Sequence, residues 1–162
     1  MAWESALSSS IEVAIAIAGF SGIIAVFGRK PGESWPVEDI LQLQMLLTAS
    51  AVAGLFSFLP FVLVETQIED QLVWKAGSGL QILWLVTISI FRLRQVTIAG
   101  ASAAVGMTKV IVPFFVITLI LQIANVAIYA SAWVYVLGVI FQLSVGFAAF
   151  VTLILGKVTN AK

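Results

Sequence analysis

Five long apolar stretches decide what this chain can fold into. They run from about Ala6 to Phe27, Ile40 to Val64, Leu72 to Phe91, Val110 to Tyr129 and Trp133 to Leu155. Each is close to the ~20 residues that a helix needs to cross a bilayer. The expected fold is therefore all-α: a polytopic transmembrane bundle of five spans forming one domain over residues 1–162. Composition agrees, because 61% of the residues are hydrophobic and 10% charged, and the mean hydropathy of +1.12 lies far outside the soluble range. An alternative has four spans, with the first segment lying along the membrane interface. That segment holds few polar residues for an amphipathic surface helix.

The basic residues set an orientation. With five spans, Arg29, Lys30, Arg92, Arg94, Lys109, Lys157 and Lys162 fall on one side, and Lys75 alone falls on the other. The positive-inside rule then puts the N-terminus outside and the C-terminus in the cytoplasm. Met1-Ala2-Trp3-Glu4 carries an acid where a secretory signal needs Lys or Arg, so the first helix is expected to be retained.

Turn chemistry marks most connections. Gly28 to Pro36 is dense in turn formers, with Ser34 or Trp35 as helix cap, Pro36 in the first turn, and Glu38 and Asp39 beside the positive helix end. Glu65 to Asp70 forms an acidic loop, and Thr97 to Thr108 a soft run of Gly, Ala and Ser. Pro60 lies late in the second span, where it removes a backbone hydrogen bond and kinks the last turn. Tyr129-Ala130-Ser131-Ala132-Trp133 contains neither Gly nor Pro, yet one helix from Val110 to Leu155 would be about twice the bilayer thickness at ~1.5 Å per residue. A tight hairpin is expected there, with Tyr129, Trp133 and Tyr135 as interfacial anchors.

The run Ala18-Gly19-Phe20-Ser21-Gly22-Ile23, followed by Gly28-Arg29, Trp35-Pro36, Leu46-Leu47, Ser50, Phe58-Leu59-Pro60 and Trp74, resembles a broad group of small bacterial integral membrane proteins. The likeness covers the first half of the chain and the second half only in hydrophobic outline. It implies a bacterial inner membrane and carries over no activity.

Two stripes of small residues predict close helix packing. Ala14, Ala18, Ser21, Gly22 and Ala25 share one side of the first span, with Ala14, Ala18 and Gly22 at intervals of four, opposite Val13, Ile17, Phe20, Ile24 and Phe27. Gly138, Gln142, Gly146 and Ala149 repeat in the fifth. In lipid, close backbone approach over such residues supplies helix contact. The stripes can serve packing inside one chain or an interface between chains.

Polar residues inside the spans are the candidate site. Gln81, Gln122, Asn125 and Glu12 fall in the outer half and Gln142 near mid-depth, so they can form one cluster. The cluster can be interhelical hydrogen bonding or an ion-binding vestibule. Glu12, the one acid within an apolar run, can reach interfacial water, pair with Lys75, or act as a buried carboxylate that takes up a proton or cation.

Several classes are disfavoured. Eight basic residues scattered over several turns make no field for nucleic acid. With no Cys and no His, thiolate chemistry, haem ligation and most transition-metal sites are not expected, so no cofactor is assigned. Gly19-Phe20-Ser21-Gly22 matches the nucleophile context of rhomboid-type intramembrane proteases, but those enzymes need a His as base. A non-enzymatic role is expected. The sequence favours a subunit or assembly factor acting through helix contacts, with self-association or another membrane subunit as partner. A homo-oligomeric ion or proton channel or carrier is the alternative.

Overall fold

The computed structural model describes residues 2–27, 36–99 and 105–160. Helices α1 (Ala2–Phe27), α2 (Val37–Glu65), α3 (Asp70–Ala99), α4 (Val105–Ala124) and α5 (Ala132–Asn160) follow in order, α4 being prolonged by a π-helical turn, Asn125–Tyr129. All five are long and apolar enough to cross a membrane. The chain is a multi-pass, all-α membrane protein, and side chains such as Ile15, Leu55, Leu83, Phe114 and Ile128 cover its outside, where lipid chains solvate them.

Side-chain pairs give the direction of each helix. Trp3 meets Phe61 at one end of α1, with ring centroids 6.0 Å apart, and Ile17 shares a buried cluster with Leu46 further along. So α1 runs antiparallel to α2 over most of its length, and it cannot lie along the membrane surface as the four-span alternative requires. Tyr135 reaches Phe56 and Gly146 approaches Leu46, which makes α5 antiparallel to α2. Gly77 and Gln81 of α3 face Tyr135 and Gly138 in the same order, so α3 and α5 are parallel. Successive helices alternate in direction, and α5 sits at the centre, touching all four others.

Small residues let α5 occupy that place. A Cβ on Gly146 would stand 3.5 Å from the Ala49 Cβ, and one on Gly54 of α2 would stand 3.5 Å from the Ala14 Cβ, which is ordinary contact between closely set helices. Gly138, Gln142, Gly146 and Ala149 are all buried, while Phe147 and Ile154 point outward.

The packed face of α1 keeps Ala14, Ala18 and Ser21 of the expected small-residue side and departs from it at Ile17 and Gly22. Leu7, Ser10, Ala14, Ile17 and Ser21 are buried, Ala18 is half-buried, and Gly22 is exposed with no neighbouring atom within 4 Å of where a Cβ would stand. Helical period is the reason. A strict i+4 series drifts by about 40° per step, so Ala14, Ala18 and Gly22 wind off the interface, whereas alternating steps of three and four hold the line from Leu7 to Ser21. Among the described residues nothing lies within 4 Å of where a Gly22 Cβ would stand, and Ile17, placed on the side opposite the small residues, belongs to the core.

Several boundaries also shift. Pro36 is the residue that caps α2, not part of its first turn: its backbone is extended (φ −54°, ψ 143°) and its carbonyl accepts the Ile40 N–H at 3.2 Å. Ser34 and Trp35 lie outside the described residues. Glu65 and Asp70 belong to helices, leaving a short turn in which Thr66 closes onto the Leu63 carbonyl. The expected loop from Thr97 to Thr108 is shortened at both ends, since α3 continues to Ala99 and α4 begins at Val105. Helical hydrogen bonding does not stop where the hydrocarbon ends; it stops where the backbone is turned.

Candidate functional site

The α4–α5 hairpin is built by one side chain. Asn125 is fully buried; its Nδ2 donates to Ser78 Oγ on α3 (2.8 Å) and to the Ser131 carbonyl (3.1 Å), and its Oδ1 accepts the Ser131 N–H (2.7 Å). The Ala130 N–H closes onto the Asn125 carbonyl at 2.9 Å, and Ala130 takes a left-handed conformation with φ 47°. That is the position a glycine normally occupies at a helix C-terminus. Asn125 supplies the hydrogen bonds that let Ala serve there, and it ties the turn to α3 as well.

A second bond links α5 to α2 through a proline. Pro60 is inside α2 and has no N–H to give the Phe56 carbonyl four residues earlier. The Tyr135 hydroxyl donates to that carbonyl at 2.7 Å. Tyr135 is therefore fully buried and not an interfacial anchor, unlike Tyr129 and Trp133, which are exposed. Its ring lies so close to α3 that a Cβ on Gly77 would come within 2.7 Å of Cε2. Trp74 packs tilted against it, and Trp3 meets Trp74 edge-on at 4.8 Å.

The glutamines form the third part. Gln122 Nε2 donates to the Val134 carbonyl (2.7 Å), and Gln81 Nε2 lies 3.4 Å from the Tyr135 carbonyl, both bonds ending on the first turn of α5. Gly138 receives both amides: a side chain there would meet Gln81 Oε1 and Gln122 Nε2 directly. An oxygen standing where a Cβ would be faces the glycine Cα–H, the arrangement of a Cα–H···O contact between helices. Gln81 Oε1, Gln122 Oε1 and both amide atoms of Gln142 have no conventional hydrogen-bond partner among the described residues.

The structure brings Gln81, Gln122 and Asn125 together against α5, with Gln142 one turn further along that helix. Glu12 does not join them. It is exposed on the side of α1 away from α2 and α5, together with Ser5, Ser8 and Gly19, and it forms no ion pair with Lys75. Buried carboxamides reach α5 because α3 and α4 flank it; α1 touches α5 through Leu7 and Ile17, nearly opposite Glu12 on the wheel. Ser21 is buried, and its Oγ donates to the Ala18 carbonyl at 2.6 Å.

Sequence reasoning missed Ser78, Gly77 and the role of Tyr135. One signal was present for the last: a proline in a span frees the carbonyl four residues earlier, and some donor must meet it. The cluster consists of amides and hydroxyls, groups that hydrogen-bond without titrating near neutral pH. Fold and cluster together define a multi-pass helical membrane protein whose central helix is fastened to its neighbours by polar bonds. No family model, curated protein or solved structure matches the chain.

Proposed function

We propose that this protein is a small membrane subunit or assembly factor that works through helix–helix contacts, with the outward face of α1 as its contact surface. The observation that carries the reading is the exposure of Glu12, which lies within one helical turn of the middle of the Ala2–Ala25 span. A charged side chain held there against lipid costs on the order of 3 kcal/mol, and a covering helix offering a polar group or a proton reduces that cost. Gly19 and Gly22 are exposed on the same helix with open space where a Cβ would stand, so another helix can approach closely. Inside the chain Gln81, Gln122 and Asn125 each bond to the first turn of α5 or to the turn before it, and Glu12 stands apart from them. The distribution of basic residues and the resemblance of the first half support a bacterial inner membrane, with the N-terminus outside and the C-terminus cytoplasmic.

Particle mass in nanodiscs drawn directly from the native membrane, which retain a second copy or another subunit alike, tests the contact. The wild-type particle should be larger than one chain, and Gly22→Leu should reduce it to one chain while leaving the unfolding temperature unchanged. A wild-type particle of a single chain, or an equal loss of stability and mass in the variant, would rule the reading out.

A further inference from the structure

We infer that a groove between α2 and α3 is a binding site for one anionic phospholipid, with the phosphate at Arg92 and an acyl chain laid toward Trp84. The groove encloses about 290 Å³ and is lined by Gln44 and Thr48 from α2 and by Trp84, Ile88, Phe91 and Arg92 from α3. This surface is separate from the outward face of α1 and from the amides around Gly138.

Depth fits the two ends of a lipid. At ~1.5 Å per residue, Arg92 stands about 15 Å from the midpoint of the Asp70–Arg94 span, which is half the thickness of the hydrocarbon layer. Its backbone is thus at the edge of the hydrocarbon layer, within a side chain's length of the headgroup phosphates. Trp84 lies near the midpoint, so the groove descends through one leaflet, as an acyl chain does.

Chemistry changes along the groove in the same sense. Trp84, Ile88 and Phe91 supply apolar walls, and Thr87 at its edge turns its hydroxyl to the Leu83 carbonyl of its own helix (2.7 Å), leaving its methyl group for the chain. Gln44 and Arg92 supply polar groups at the outer end. Arg92 is held in place by a 3.4 Å hydrogen bond from its Nη1 to the Leu41 carbonyl on α2. That bond uses one of five guanidinium donors, and the rest suit a phosphate. Among the described residues no acidic side chain lines the groove; Asp39, in the first turn of α2, is the nearest acid along that helix to Leu41. Arg94, two residues on, is exposed and outside the groove, which separates a site from general surface charge.

Native mass spectrometry of the full chain, released from nanodiscs of mixed phosphatidylcholine and phosphatidylglycerol, reads the site. Wild type should retain one phosphatidylglycerol in preference to phosphatidylcholine. Arg92→Gln should lower that preference about fivefold, the equivalent of the ~1 kcal/mol that a basic residue contributes near an anionic lipid surface. Arg94→Gln should leave it in place. Ile88→Trp, which fills the groove with Arg92 intact, should lower phosphatidylglycerol retention and keeps the proposal testable should Arg92→Gln fail to fold. Equal retention of both lipids by wild type, equal losses in the two Arg variants, or unchanged retention in Ile88→Trp would each overturn it.

Discussion

At the scale of single residues, the most consequential pairing joins Pro60 to Tyr135. A proline that breaks a helical hydrogen bond inside a membrane leaves a carbonyl with no water to bond to, and here a tyrosine from another helix takes it up at 2.7 Å. Tyr135→Phe should therefore cost about 1 kcal/mol in reversible unfolding, close to the net value of one buried hydrogen bond. In a Pro60→Ala background the restored N–H meets the Phe56 carbonyl, and the same change should cost little. A double-mutant cycle in mixed micelles measures the coupling; strictly additive losses would show that the two residues do not act on one carbonyl. The sequence displayed both residues. What it hid was their distance, 75 positions apart and on different helices, so Tyr135 read as one more aromatic at an interface.

At the scale of elements, the α4–α5 hairpin shows how a turn forms without Gly or Pro. Length demanded a reversal near Ala130, and that inference needed no tertiary contact. The means of reversal did: Asn125 bonds forward to Ser131 and sideways to Ser78, and the second partner belongs to α3. Asn125→Leu removes three hydrogen bonds and should destabilise the protein by about 2 kcal/mol at the ~0.6 kcal/mol typical of each such bond in membranes. Ala130→Gly should act in the opposite sense, raising stability by about 1 kcal/mol, because glycine adopts the left-handed conformation at no steric cost. Thermal unfolding in detergent checks both; a destabilising Ala130→Gly would mean that the Ala methyl group matters more than the backbone strain. The stripe on α5 was legible for a related reason: Gly138, Gly146 and Ala149 lie on the buried side of a helix that all four others touch, so small residues there meet a neighbour.

At the scale of the whole molecule, alternation of helix direction joins two independent facts. Packed side-chain pairs make α1, α3 and α5 run one way and α2 and α4 the other, which places the turns around Gln67 and Ser131 at one end. Arg92 and Arg94 lie toward the opposite end of α3. The chain contains no Cys, so single Cys substitutions probe sidedness cleanly. If the basic end is cytoplasmic, a membrane-impermeant thiol reagent applied from outside should label Glu69→Cys and Ser131→Cys and spare Ser102→Cys. The reverse labelling pattern would invert the orientation and leave the fold intact.

The sequence by itself determined the environment, the number of crossings and the need for a hairpin, because each follows from how many apolar residues occur in a row and from the cost of leaving backbone groups unbonded in lipid. It also named the buried amides, since polar side chains in spans are few. Only the tertiary structure decided which way each helix turns its faces. In water the apolar side of a helix must go inward; in lipid both sides are apolar, and rotation is settled by fit between small residues, large residues and isolated polar bonds. That is why Gly22 and Glu12 of α1 look outward while Ile17 and Ser21 look in, and why Glu12 stands apart from the amides that the sequence grouped with it.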